Sequence, residues 1–130
     1  MASQLKVDTI TGVTTAGSIS VTGEGNSTTT NLQQGLAKQW AKFTIAAALN
    51  DSLNTSSITD TGTGNFEVNF SNVMGNANYA VQACTFTIYG RETHCDASST
   101  SAYGIATWYN MSRSEDSVTN CGTAVLGDLA

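Results

Sequence analysis

A chain of 130 residues with a net charge of −5 and only 12% charged side chains has room for one compact domain plus an extension. Its five basic residues (Lys6, Lys38, Lys42, Arg91, Arg113) are scattered and form no stripe that would follow a phosphate backbone, which argues against a nucleic-acid partner. No apolar run approaches the roughly 20 residues that span a bilayer, and residues 1–10 lack the basic start and apolar core of a secretion signal, so the expectation is cytoplasmic synthesis without membrane insertion.

In chain order, residues 1–23 carry Leu5, Val7, Ile10, Val13, Ile19 and Val21, spaced by Thr, Gly and Ser. Two-residue alternation at Leu5/Val7 and Ile19/Val21 predicts short strands, with turns at Gly12 and Ala16-Gly17. An isolated hairpin is marginal in water, and copies of the chain about a rotation axis are the simplest source of partners. Residues 24–31 have no apolar side chain and read as a linker. Next, Leu32, Leu36, Trp40 and Phe43 fall at helical spacing. The segment is either a short helical neck, with Asn31 as cap, or an extended lead into the first strand of a domain.

From Trp40 onward the pattern is β. A strand is predicted over residues 40–45. Two alternating runs, 53–58 and 65–70, flank Asp60-Thr61-Gly62-Thr63-Gly64, the signature of a hairpin. Phe66, Val68 and Phe70 share one face, and Asn65, Glu67 and Asn69 the other. A long strand is predicted over 79–89, with Cys84 as a small core residue. Residues 90–101 read as the longest polar loop, 103–111 as a strand, 112–122 as a polar turn and 123–126 as a last strand. About six strands with turns at intervals near ten residues predict a sandwich or small barrel. Three cysteines without a CxxC pair and without a secretion signal do not suggest a disulfide scaffold; Cys95 and Cys121 are left open as free or paired.

Candidate chemistry is sparse. Glu92, His94, Cys95 and Asp96 are potential metal ligands, but neighbours in a strand point to opposite faces, and no metal or other cofactor is expected. Asp51, Asp60 and Glu67 lie near one another in sequence, yet Asp60 sits in a turn where it accepts backbone N–H bonds. The single His excludes a two-His arrangement within one chain, and no nucleophile elbow or phosphate-cradling loop occurs, so no enzymatic activity is expected. Tyr89, Tyr103, Trp108 and Tyr109 are candidates for stacking on sugar rings, with Tyr103 and Tyr109 on one strand face and Trp108 on the other.

Residues 40–43 (Trp-Ala-Lys-Phe), 51–81 and 123–129 (Thr-Ala-Val-Leu-Gly-Asp-Leu) are similar to a domain recurrent in tail fibres and other appendages of tailed bacteriophages, particularly marine ones. That domain's shape is Trp-x-x-Phe, then Ser-Phe-Asn-x-Ser-Ser-Ile-Thr-Asp-x-Gly-x-Gly, an aromatic strand and a Met-x-x-x-x-Tyr turn. This chain has Leu53 where Phe is frequent and Gly75 where Pro is common. The opening residues also resemble the lead-in that precedes the domain. The resemblance is specific over 53–81 and weak over 90–122. It implies a homotrimeric virion component, a slender β stem followed by a β head that contacts the host surface through variable loops.

The resulting expectation is an all-β protein with a small β-sandwich or jelly-roll-like head and an extended N-terminal β stem, assembled as a homotrimer. Residues 1–31 form the stem, attachment segment and linker, 32–38 a short neck, and 39–130 the head. Starting at Met1, the chain reads as a complete small gene product. Leu5, Val7, Ile10, Val13, Ile19, Val21, Leu32, Leu36 and Trp40 are the expected trimer contacts, with another virion protein bound through the stem. Arg91, Glu92, His94, Asp96, Arg113 and Glu115 are the expected contacts to a host glycan or receptor. The expected role is a tail-fibre-like protein displayed on the virion; the alternative is a capsid fibre or decoration protein with a structural role only.

Overall fold

The computed structural model describes residues 4–12, 19–23, 29–86, 91–96, 99–109, 112–113, 120–127 and 129. The chain divides into two units, Met1–Leu36 and Ala37–Ala130.

In the first unit, β1 (Ser20–Thr22) pairs antiparallel with β2 (Thr29–Asn31), Val21 lying opposite Thr30. One turn of helix, α1 (Leu32–Gly35), follows directly, and Leu32 N donates to Ile19 O at 2.8 Å. Residues 4–12 belong to no strand, and their side chains are exposed, Leu5 to 81%. Of the two alternatives for the neck, one helical turn forms and then gives way to the strand expected from Trp40, which begins at Gln39. Burial explains the strand. Gln39, Ala41 and Phe43 are buried while Trp40 and Lys42 are exposed, a two-residue repeat that only extended backbone satisfies.

Among the described residues the second unit holds nine strands: β3 (Gln39–Thr44), β4 (Leu49–Leu53), β5 (Thr55–Gly62), β6 (Asn65–Phe70), β7 (Ala80–Phe86), β8 (Arg91–Asp96), β9 (Ala102–Tyr109), β10 (Ser112–Arg113) and β11 (Asn120–Leu126). They form a four-stranded sheet in the order β4-β3-β11-β7 and a five-stranded sheet in which β9 pairs with β6, β8 and β10, and β6 with β5. All pairings are antiparallel. Trp108 and Tyr109 pair with both β8 and β10, so β10 occupies the edge of β9 that β6 vacates beyond Ala106.

The two sheets stack as a sandwich. Phe43 on β3 meets Phe66 on β6 edge-to-face at 5.4 Å, and Phe70 packs against Tyr79 at 5.6 Å and Tyr103 at 5.5 Å. Val68, Ile105, Cys121 and Val125 complete the core. Each fully buried Phe or Val contributes about 1.5–3 kcal/mol. One polar network crosses this core: the Tyr103 hydroxyl donates to Gln39 Oε1 at 2.9 Å and lies 2.7 Å from Thr123 Oγ1, while Gln39 Nε2 donates to Thr55 Oγ1 at 2.8 Å. Burying these groups is tolerable because they satisfy one another.

Asn54 turns the chain from one sheet into the other. Its φ of 54° is left-handed, a region Asn tolerates better than most residues. Its amide donates to Lys38 O and Asn72 O, both at 3.1 Å, and its Oδ1 accepts from Asn72 N at 2.6 Å. Between β5 and β6 the turn is tighter than expected: β5 runs through Gly62, leaving Thr63 and Gly64, and Asp60 Oδ1 accepts from Gly62 N at 2.9 Å.

Three further expectations are corrected. Residues 91–96 are a strand, not part of a loop, because Thr93 and Cys95 alternate with Glu92, His94 and Asp96 and pair with β9 along its length. The expected turn over 112–122 contains β10 at its start and the first residues of β11 at its end. Cys84 is exposed and Cys121 is the core cysteine, since Val81, Ala83 and Thr85 are the half-buried face of β7. All three cysteines are free thiols.

Candidate functional site

Strand alternation and register assemble a groove on the outer face of the five-stranded sheet. On β9, Tyr103, Ile105 and Thr107 point into the core, so Gly104, Ala106 and Trp108 point outward. On β8 the outward residues are Glu92, His94 and Asp96, each opposite one of these: Glu92 opposite Trp108, His94 opposite Ala106, Asp96 opposite Gly104. On β6, Asn65 lies opposite Ala106 and Glu67 opposite Gly104. The small side chains at 104 and 106 leave a depression between taller neighbours. It is an open groove of about 470 Å³ lined by Thr61, Asn65, His94, Asp96, Gly104, Ala106 and Trp108, among others.

The imidazole of His94 leans along the strand toward Trp108, with ring centroids 4.8 Å apart and planes inclined at 48°. This diagonal contact is open to it because its direct neighbour is only Ala106. His94 Nε2 also lies 3.6 Å from Glu92 Oε2, with more than half of each side chain in solvent. At that exposure the pair adds little stability, on the order of 0–1 kcal/mol. Asn65 Nδ2 donates to Thr63 O at 3.3 Å, which fixes the amide at the opposite wall.

The outer face of the four-stranded sheet differs in chemistry. Its rungs run Gln82–Ala124–Trp40–Leu53 and Cys84–Gly122–Lys42–Asp51. Trp40, Leu53 and Phe86 are substantially exposed, and Lys42 Nζ sits 5.2 Å from the centre of the Phe86 ring. A cleft of about 800 Å³ with Val81, Ala83, Phe86, Thr93 and Cys95 in its lining lies along β7 and β8.

The expected contact residues are therefore distributed unevenly. Glu92, His94 and Asp96 come together on one face of one strand. Arg91 and Arg113 are placed by their backbone on β8 and β10, and Glu115 lies outside the described residues. Of the aromatic candidates, Tyr103 is in the core and Trp108 borders the groove; Tyr109 is placed by its backbone alone, and Tyr89 lies outside the described residues. Of the expected trimer contacts, Leu5, Val7, Ile10, Val21 and Leu36 are exposed, Ile19 and Leu32 half-buried, and Val13 lies outside the described residues. Trp40 belongs to the sandwich rather than to the first unit. Among the described residues, no group of three His, Cys, Asp or Glu side chains is arranged to hold a metal ion.

The carboxylates near one another in sequence do not form a pair. Asp51 faces outward from the four-stranded sheet and accepts from Ser52 N at 2.8 Å, whereas Glu67 faces outward from the other sheet. Thr61, Asn65, Gly104 and Ala106 were not legible as site residues, since small or uncharged side chains on three strands become neighbours only through register. No family model, curated protein or solved structure matches this chain.

Proposed function

We propose that the chain is a non-enzymatic structural protein of a bacteriophage particle, a short trimeric fibre that binds the host cell surface. The observation that carries the reading is the apolar surface left open in the first unit. Leu5, Val7, Ile10, Val21 and Leu36 are all more than half exposed within one chain. Burying each would contribute about 1.5–3 kcal/mol, and identical neighbours around an axis are the simplest means of doing so. The sequence resemblance to phage appendage domains supports the same arrangement, with the first unit as trimeric stem and the sandwich as head. Attachment through several weak sites on one assembly then sums to firm adhesion.

Sedimentation equilibrium of the full chain tests the assembly. The expected mass is three times that of one chain; a folded monomer at micromolar concentration overturns the stem. Adsorption of the purified protein to host cells tests the binding role. A second reading, a capsid fibre or decoration protein that recognises nothing on the host, is favoured by the exposed Trp40, Leu53 and Phe86 on the four-stranded sheet, which suit a protein neighbour. Electron microscopy of the intact particle separates the two by location.

A further inference from the structure

The groove between β8, β9 and β6 has a chemistry that selects among ligands. We propose that it binds a neutral hexopyranose, one apolar ring face against the Trp108–His94 wall and the hydroxyl rim against Asp96 and Asn65. The inference rests on the surface-binding reading above and names the ligand class.

Four observations converge on it. The open groove, about 470 Å³, lies within the range of small-molecule sites. One wall is aromatic: His94 and Trp108 hold each other at 4.8 Å, so the rings are arranged before any ligand arrives. A pyranose carries several axial C–H groups on one face, which favour an aromatic surface as any apolar group does. Asp96, opposite Gly104 on the strand beside it, offers acceptors for hydroxyl donors, and charge-assisted hydrogen bonds of this kind are the stronger ones. Asn65 spends one N–H on Thr63 and has its other N–H and Oδ1 for a ligand, a donor and an acceptor side by side, as a sugar hydroxyl requires.

The same groups disfavour other classes. Among the described side chains no Lys or Arg lines the groove, whereas Asp96 does and Glu92 and Glu67 flank it on the same face. A uronate, a sialic acid or a phosphorylated sugar would meet this negative field with no cation among the described lining side chains to offset it. A wholly apolar ligand would strand the Asp96 carboxylate and the Asn65 amide away from water.

Gly104 supplies a clean test. A Cβ built there meets only Asp96 Cβ and Asp96 O, both at 4.0 Å, so a larger side chain fills the groove without displacing backbone. Gly104→Val also favours a strand conformation. The full chain is titrated with the methyl glycosides of glucose, galactose and mannose, and separately with galacturonate and N-acetylneuraminate, reading saturation transfer to the sugar protons. Neutral glycosides are expected to receive saturation, and the acidic sugars none. Gly104→Val abolishes the transfer with its thermal midpoint kept. Trp108→Ala and Asp96→Asn each weaken binding about tenfold, the equivalent of about 1.4 kcal/mol. Equal transfer to acidic sugars, no transfer to any neutral glycoside, or unaltered transfer in Gly104→Val overturns the proposal. Host-cell adsorption separates its failure from that of the broader reading. Cells bound equally by wild type and Gly104→Val overturn the groove and leave surface binding in place. Cells not bound at all overturn surface binding, while transfer to neutral glycosides alone still upholds the groove.

Discussion

His94 and Trp108 are not direct cross-strand partners, yet their rings are 4.8 Å apart, because the direct partner of His94 is Ala106 and the imidazole leans across it. The contact joins β8, an edge strand of the five-stranded sheet, to its neighbour β9 on the solvent side. His94→Ala is expected to cost no more than about 0.5–1.5 kcal/mol, since both His94 and its other partner Glu92 are well exposed. Trp108 emission should shift and intensify as the ring loses its neighbour. An unchanged spectrum would mean that the rings do not touch in solution.

Gly127 is required by space. A Cβ there would stand 2.7 Å from Tyr79 Cβ and 3.3 Å from Tyr79 Cα, neither of which can swing aside. Gly127→Ala is expected to destabilise the sandwich by about 1–3 kcal/mol, the usual cost of overpacking. Urea unfolding monitored by circular dichroism checks this, with the midpoint falling.

Tyr103→Phe removes one hydroxyl and leaves Gln39 Oε1 and Thr123 Oγ1 without it in a buried setting. The expected loss is about 1–3 kcal/mol. If Gln39→Leu in the same background recovers stability, the cost lies in the stranded partner rather than in the small void left by the hydroxyl.

Alkaline pH should unfold the protein through two buried acids. Burial pushes the Cys121 thiol up from 9.0 to about 11 and holds the Tyr103 hydroxyl well above its ordinary 10.0. In each case the unfolded chain ionises first. Stability is therefore intact below about pH 9, falls through the interval up to about 11 as Cys121 titrates in the unfolded state, and falls further above about pH 10 through Tyr103. Burial of Tyr79 acts in the same direction. Denaturant midpoints measured across that range should decline, and Cys121→Ala should flatten the earlier part of the slope.

The thiols should separate by accessibility. Cys84 and Cys95 are exposed and Cys121 is fully buried. A chromogenic disulfide reagent should therefore titrate Cys84 and Cys95 in the native protein and Cys121 only in denaturant. Partial burial raises the Cys95 thiol, so its reaction should lag behind what its exposure alone suggests. Rapid native reaction of all three would contradict the core assignment of Cys121.

Much of the sandwich was legible because its inner faces alternate in plain residues. Phe66, Val68 and Phe70 stood out against Asn65, Glu67 and Asn69, and burial follows that division. Residues 91–96 were not legible. Their inward side chains are Thr93 and Cys95, too mild to mark a face, and their outward ones are the charged and polar groups of a loop. The face of Cys84 was not legible because β7 carries apolar side chains on both faces, Val81 on the half-buried one and Phe86 on the exposed one beside Cys84. The groove was harder still. Glu92, His94 and Asp96 could be grouped by spacing, but their meeting with Gly104, Ala106 and Asn65 depends on pairings among β6, β8 and β9 that no local pattern encodes.

The four-stranded sheet has an unusual order of completion. β11 lies between β3 and β7 and supplies the backbone partners of both, although it follows every other strand in the chain. During synthesis β7 waits with neither edge paired, and β3 holds only β4, until residues 120–126 clear the ribosome. Folding of the sandwich is thus postponed until that strand has emerged, and a nascent chain arrested before that point exposes the unfinished sheet to chaperones and proteases.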